Sequence, residues 1–542
     1  MKKKFSVILP QLFLLLFFIF IAFLILNVNL NTRIPMRDSG VFLNVARQVL
    51  DGKIPYIHLW DHKPPLIYFI NALALLIDNK SLFGLWFLEF LFLSASTIVC
   101  YFLLKKSFRK GSAIFGTTIF LLTFAKLLTG GNYTEEYALL FQFLILLFFV
   151  LAEKENKYRF YPFIGIFSAL IFLLKINAIG ITISIILYLI IQKIISNKKS
   201  HLIKKFLDMS LGFIFVLAII LLYLLFKKAF DEFIDQVFKY NFIYQKVQIQ
   251  NKFNAIYNFF KIIYPTSILL IFSYLINLYI FFREKNKTSI LNALIIILFP
   301  IELILISLSG RDYWHYYICL LPSIAILIAS LISNPVNYFS SFLKKHGLGK
   351  KLLLITVYIL LGIIYLKPIY SLVYKNLSLE YRLIGRDFKP RTFRFNNFEE
   401  KQDTIDLINK TTSSNDPILI YGSESALYFI TQRNSPTRYF YQYPLFIKGY
   451  VNESKINEFL TDLKNNMPKI IIDASTSTAD IGAEKSYLLE PIYFPEREKW
   501  LKEKGFTTQP KEYKDIFNFF DNNYEFIGTT YSNKWYVFKY NE

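Results

Sequence analysis

The stretch 59-LWDHKPPLIYFINALALLID-78 decides how this chain threads a membrane. Asp61, His62 and Lys63 stand directly before Pro64 and Pro65, and an apolar run follows at once. A membrane-spanning helix needs about 20 apolar residues. Residues 64–78 fall short of that and open with two prolines. Proline suits the first turn of a helix, where the missing N–H would be unpaired anyway. The segment therefore reads as a short juxtamembrane or re-entrant helix on the outer side, preceded by a carboxylate, an imidazole and an ammonium.

The rest of the composition supports a membrane setting. Of 542 residues, 54% are hydrophobic and only 18% are charged, a balance that soluble domains rarely show. From residue 5 to about 370 the apolar residues fall in blocks near the bilayer length. From about 377 to 542 the blocks vanish and Asn, Lys, Glu, Asp and Thr take over. The formal charge of +22 raises the possibility of nucleic acid, but its distribution argues for topology instead. The positives cluster in short loops: Lys2–Lys4, Lys105-Lys106 with Arg109-Lys110, Lys198-Lys199 with Lys204-Lys205, Arg283 with Lys285 and Lys287, and Lys344-Lys345 with Lys350-Lys351. That is the positive-inside pattern of a protein facing anionic lipid, with no nucleic-acid partner. Cys100 and Cys319 both lie in apolar blocks, so the tail is not a disulfide-stapled domain.

These loops set a self-consistent topology. With Lys2–Lys4 cytoplasmic, the run Phe5–Leu26 is too long for a signal-peptide core and reads as a retained first span. Spans are expected at about 6–28, 83–104, 111–129, 136–152, 160–175, 177–193, 206–226, 261–282, 288–307, 316–333 and 351–369, about eleven crossings in all. A crossing at 64–78 would place the basic residues of 105–110 outside. The expected architecture is a polytopic α-helical membrane domain over 1–370, with an outer loop at 29–82, and an extracytoplasmic α/β domain over 371–542. The loop 227–260 carries lysines yet falls outside, and is read as an amphipathic surface segment. In the tail, 417-PILIYG-422, 468-PKIIIDAS-475 and 531-YSNKWYVFKY-540 read as strands, the last an edge or terminal one, with a helix at 455–464. The tail has no Walker loop, no GxGxxG and no paired-cysteine metal motif.

The polar residues of the outer turns fall in four places: 37-RDSGVFLNVARQVLDGKIPY-56, 60-WDHKPP-65, 129-TGGNYTEEY-137 and 309-SGRDYWHYY-317. Ionisable groups at membrane depth are expensive and tend to be functional. Their one-sidedness points to an outward-facing site.

Here the pattern resembles a known family. Asp38 in 37-RDSG-40, then 63-KPPL-66, then Glu135 in 134-TEEY-137 are similar in order and spacing to the GT-C superfamily of polyprenyl-phosphate-sugar glycosyltransferases. The branch with protein O-mannosyltransferases and bacterial lipid A aminoarabinose transferases is the more similar one. The resemblance spans residues 1 to about 333. It implies a sugar donor on a polyprenyl phosphate, and a glycan, lipid or protein acceptor. It also implies Asp38 as the base for an inverting displacement, with Glu135 or Glu136 as a second carboxylate. Lys63, with the dipole of the following helix, would meet the donor phosphate, as would Arg311, suited to bidentate contacts, and His315. Asp61, His62, Tyr313 and Lys175 join as substrate-binding candidates. Asp38, Asp61 and Glu135 could in principle hold a divalent ion, but no metal or cofactor is expected.

Plainer readings stand beside these. Asp38 could cap the helix patterned over 41–50. Lys63 could snorkel to ordinary headgroups beside Asp61. Glu135 and Glu136 could be a helix-start pair, and Arg311 and His315 part of an interfacial aromatic belt. Lys175, with Asn177, has no evident partner. A flippase for a lipid-linked saccharide is the alternative function, though neither inverted repeats nor broken mid-membrane helices are evident. A polytopic scaffold with a sensing domain would leave the Asp38–Lys63–Glu135 order unexplained. The Lys-, Ile-, Phe- and Asn-rich usage suggests an AT-rich bacterial genome. The expected location is the bacterial plasma (inner) membrane, with the N-terminus cytoplasmic.

Overall fold

A computed structural model describes residues 2–31, 37–79, 82–196, 201–245, 249–283, 289–338, 366–374, 399–447, 449–475, 492 and 511–541. In chain order its helices are α1 (Lys2–Asn31), α2 (Arg37–Leu50), α3 (Leu66–Ile77), α4 (Phe83–Ser107), α5 (Lys110–Leu127), α6 (Thr134–Lys154), α7 (Tyr161–Phe172) and α8 (Gly180–Ser196). Then come α9 (Leu202–Phe226), α10 (Phe230–Phe233), α11 (Tyr240–Tyr244), α12 (Ile249–Ile262), α13 (Thr266–Arg283), α14 (Ile290–Ser307) and α15 (Leu321–Tyr338). The tail adds helices and four strands. The chain divides into two units.

The first unit comprises Met1–Asn31, Asp78–Leu222 and Val247–Phe393. It is helical because its sequence offers long apolar runs without strand-like alternation. Seven helical stretches among the described residues are long and apolar enough to cross a membrane: Leu9–Leu26, Phe83–Ser107, Thr134–Lys154, Leu202–Phe226, Thr266–Arg283, Ile290–Ser307 and Trp314–Ser333. Tyr158–Phe172 and Gly180–Ile195 are shorter apolar helices. This is a multi-pass membrane protein. α4 packs on α5 and α6, α5 on α15, and α13 on α14 and α15. The outward sides of α1 and α9 expose Phe13, Phe17, Phe20, Leu211, Phe215 and Phe226, surfaces that only lipid tails can cover without cost. α7 and α9 meet backbone to backbone. A Cβ on Gly165 would sit 1.9 Å from the Met209 carbonyl oxygen, and one on Gly212 would sit 1.9 Å from that of Pro162. Only glycine permits that approach.

Several boundaries differ from the sequence reading. The span expected at 261–282 is divided: α12 ends at Ile262 and α13 starts at Thr266, with Pro265 between. The span expected at 316–333 opens with a 3-10 turn, Trp314–Leu320. The loop 227–260 is largely helical, with a π-helical turn at Ile234–Lys239. Of the span expected at 351–369, residues 351–365 lie outside the described residues, and 366–374 are helical.

The second unit comprises Thr32–Ile77, Tyr223–Lys246 and Arg394–Glu542. It therefore joins the first outer loop and the start of the 227–260 segment to the tail. Its sheet has the order β1 (Ile418–Tyr421), β2 (Ile470–Asp473), β4 (Tyr536–Tyr540), β3 (Tyr524–Thr529). β1 and β2 are parallel, with Ile418 opposite Ile470, and β4 runs antiparallel to both β2 and β3. Every residue of β1 and β2 is buried, as the unbroken ILIY and III runs of a parallel pair covered on both faces require. The last strand read from sequence is β4. It ends the chain but lies inside the sheet, because β3, unread in the sequence, takes the edge. The helix expected at 455–464 spans Glu453–Asn465, capped by Asn452, whose side chain accepts from Lys455 N at 3.0 Å. α2 packs on the helix Ala426–Thr431, at Gly40, where a Cβ would lie 2.6 Å from Ala426 N.

Candidate functional site

In the second unit, the segment 61-DHKPP-65 is held from all sides. Tyr56, forced to φ 71° in a tight bend, donates its hydroxyl to the Lys63 carbonyl at 2.8 Å. Tyr68, on the first turn of α3, donates to Asp61 Oδ2 at 2.6 Å. Gln236 accepts from Asp61 N at 3.1 Å and donates to the Tyr56 carbonyl at 2.7 Å. Asn241 donates to the His62 carbonyl at 2.8 Å. From the tail, Tyr441 donates to Asp61 Oδ1 at 2.8 Å. Trp60 N donates to the Arg438 carbonyl at 2.9 Å, and its indole N–H to Tyr450 at 3.0 Å.

Asp61 is thus a buried hub, 2% exposed, whose two oxygens take the Tyr68 and Tyr441 hydroxyls and the His62 N–H (2.7 Å). Burial pushes its carboxyl up, while the tyrosine hydrogen bonds and the Lys63 charge pull part of that back. Burial, helped by Lys63, holds the His62 imidazole well below its ordinary range, so it is neutral. Lys63 itself stands just before α3, a helix whose Leu73, Leu76 and Ile77 are exposed. Asp38 lies in the first turn of α2, which begins at Arg37. The helix starts upstream of the pattern seen in the sequence, so Asp38 lies within its first turn rather than before it. Its charge reaches the Tyr441 hydroxyl. Nearby, Arg37 and Lys401 both pair with the buried Glu424, Arg37 at 3.2 Å.

In the first unit, a second polar cluster forms at the start of α6. Gly130, Gly131 and Asn132 take φ of 120°, 91° and 60°, conformations that glycine and asparagine tolerate. The two glutamates that follow in the first turn of α6 take different partners. Glu136 accepts from Tyr133 N at 3.0 Å and closes the helix start. Glu135, 2% exposed, pairs with Lys175 and accepts from the Thr134 hydroxyl at 2.8 Å. The Lys175 ammonium also lies 3.5 Å from the centre of the Tyr316 ring. Lys175 therefore has partners that the sequence did not show. His315 stacks between Tyr133 (4.0 Å, 2°) and Tyr313 (5.7 Å, 7°). Arg311 sits in the same loop as His315, its N–H donating to Ser309 Oγ at 3.4 Å.

Some residues of both clusters escaped the sequence reading. Glu89, buried in α4, accepts from Asn132 N at 2.5 Å; a lone acid within an apolar span was its signal. Tyr441 had a fainter one, the aromatic run 438-RYFYQY-443 in a polar tail. Gln236 had none. Among the described residues no group of three or more His, Cys, Asp or Glu is placed to hold a metal ion.

Residues 62–223 match the family model described as dolichyl-phosphate-mannose-protein mannosyltransferase. This chain is a glycosyltransferase, similar over that segment to the GT-C superfamily. The matched segment carries 63-KPPL-66, 134-TEEY-137 and Lys175. Three solved structures of the oligosaccharyltransferase of Archaeoglobus fulgidus are also similar. One, tethered by a disulfide to an acceptor peptide with the NVT sequon, has 12% identity and a TM-score of 0.46, over 84% of this chain and 69% of that one. The apo form has 11% identity and a TM-score of 0.46, over 85% and 69%. The complex with an inhibitory peptide and a dolichol-phosphate has 10% identity and a TM-score of 0.47, over 84% and 69%. At this distance no residue role passes from one chain to the other. No curated protein matches the sequence.

Proposed function

We propose that this protein is a GT-C glycosyltransferase that moves a sugar from a polyprenyl-phosphate donor to a hydroxyl acceptor at the outer face of a bacterial plasma membrane, with inversion. The acceptor oxygen attacks the anomeric carbon in line with the leaving phosphate. Its proton passes to the Asp38 carboxylate. The bond from the anomeric carbon to the phosphate oxygen breaks, and polyprenyl phosphate departs with both electrons. Lys63 neutralises that phosphate. In the first unit, Glu135 is tied to Lys175, whereas Glu136 serves the helix start.

The observation that carries this reading is the setting of Lys63. Its carbonyl is fixed by Tyr56, its charge precedes a helix N-terminus, and that helix exposes Leu73 and Leu76 in its second half. A phosphate on a lipid tail suits both halves of that surface: an anion for the ammonium and helix dipole, a hydrocarbon chain for the leucines.

The test is transfer in detergent from a panel of radiolabelled polyprenyl-phosphate sugars, with membrane extract as acceptor. Wild type runs beside Asp38→Asn and Lys63→Ala. Transfer by wild type alone supports the reading. Equal transfer by all three removes these two assignments. Scrambling of a saccharide lipid in liposomes, without transfer, would make the protein a flippase instead.

A further inference from the structure

The Asp61–His62–Tyr441 cluster carries a proton assignment that donor and acceptor counting decides. Tyr441 has one proton, and at 2.8 Å that proton goes to Asp61 Oδ1. Towards His62 its oxygen can then only accept. Asp61 receives three donors, the pattern of an ionised carboxylate, which is an acceptor only. His62 Nδ1 lies 3.4 Å from the Tyr441 oxygen and 3.4 Å from Asp61 Oδ1. Both neighbours accept, so Nδ1 bears the hydrogen and Nε2 keeps its lone pair. Among the described residues no protein group bonds Nε2, and the side chain is 24% exposed.

The surroundings of that nitrogen are aromatic. Trp60, Tyr240 and Tyr244 ring the imidazole at centroid distances of 6.1, 5.2 and 6.4 Å. Aromatic walls beside a directed hydrogen-bond acceptor suit a sugar, whose C–H faces pack on rings while its hydroxyls need partners.

We propose that His62 binds a saccharide hydroxyl through Nε2, and that Asp61 and Tyr441 are positioning residues that hold the imidazole in the Nδ1–H form. This rests on the transferase reading above and extends it, since the tail supplies Tyr441. The hydroxyl belongs either to the donor sugar or to a sugar on the acceptor.

Two readouts on the full-length protein test it. Imidazole 15N NMR, with the His62 signal assigned by its loss in His62→Gln, reports the tautomer without turnover. Wild type should show Nδ1–H at His62. Tyr441→Phe, which keeps the ring against Trp60 (5.7 Å), should shift population towards Nε2–H. An Nε2–H signal in wild type overturns the proposal. The second readout is transfer kinetics on the same donor panel. His62→Ala and Tyr441→Phe should each cost about tenfold in kcat/KM, the worth of roughly one hydrogen bond. The double variant should lose no more than His62→Ala alone, because Tyr441 acts through His62. His62→Gln, whose amide oxygen can take the place of Nε2, should recover part of the loss. A rise in donor KM assigns the hydroxyl to the donor sugar, and a rise in acceptor KM assigns it to the acceptor; either supports the proposal. Additive losses, or unchanged kinetics, overturn it. Failure of wild type to transfer from any donor overturns the transferase reading and the hydroxyl role together, while the NMR tautomer still judges Asp61 and Tyr441 separately.

Discussion

Tyr441 donates its hydroxyl to Asp61 across 2.8 Å, joining residues 380 positions apart in the chain. The tail is therefore part of the structure that holds 61-DHKPP-65. Asp61→Asn replaces one acceptor oxygen with an NH2 group that faces donors. The mismatch should destabilise the protein by about 1–3 kcal/mol. Thermal unfolding in detergent reads this directly. A transition as high as that of wild type would mean the carboxylate is dispensable to the loop.

Glu135 and Glu136 are neighbours with different work. Glu136→Gln keeps an acceptor for Tyr133 N and should leave transfer within about twofold of wild type, a fraction of a kcal/mol. Glu135→Gln leaves the Lys175 ammonium without its charge partner and should cut kcat/KM by about tenfold or more. Steady-state transfer assays of the two variants decide the matter, and the reverse ranking would exchange their roles.

Glu424 gives the second unit an acid-sensitive tie. Burial opposes its charge, but Lys401 and Arg37 outweigh burial and hold its carboxyl below the usual range. A depressed folded pKa means that the contribution is present above the ordinary carboxylate range and is lost as pH falls through the depressed value. Asp61, with a raised carboxyl, has the opposite sign. It favours the fold most below the ordinary range, and that contribution fades as pH rises through its raised value. The Glu424 contribution to the melting temperature is therefore lost on the acid side, and Glu424→Gln should flatten that limb of the pH profile. An acid limb unchanged in Glu424→Gln would assign the loss to other carboxylates.

Gly165 and Gly212 set the approach of α7 and α9. Gly212→Leu must push the helices apart, because even a Cβ there would overlap the Pro162 carbonyl. The expected cost is several kcal/mol, seen as loss of monodisperse protein on size-exclusion chromatography in detergent. A variant that stays monodisperse and active would show that the two helices can separate freely.

How far the chain could be read in one dimension depended on whether the cause was local. Residues 59–78 announced a short helix after two prolines, and α3 (Leu66–Ile77) is that helix. Apolar runs announced the membrane helices, since bilayer thickness and hydropathy act on contiguous residues. The ILIY and III runs announced β1 and β2. The motifs 63-KPPL-66 and Glu135 announced the similarity that the family model finds over residues 62–223. Tertiary structure alone decided the rest. It paired Lys175 with Glu135, gave Glu136 to the helix start, and brought Gln236 and Tyr441 to the loop at Asp61. Those choices depend on which distant backbone arrives beside a buried polar group. Burial makes each such group take a partner, but a linear sequence does not say which.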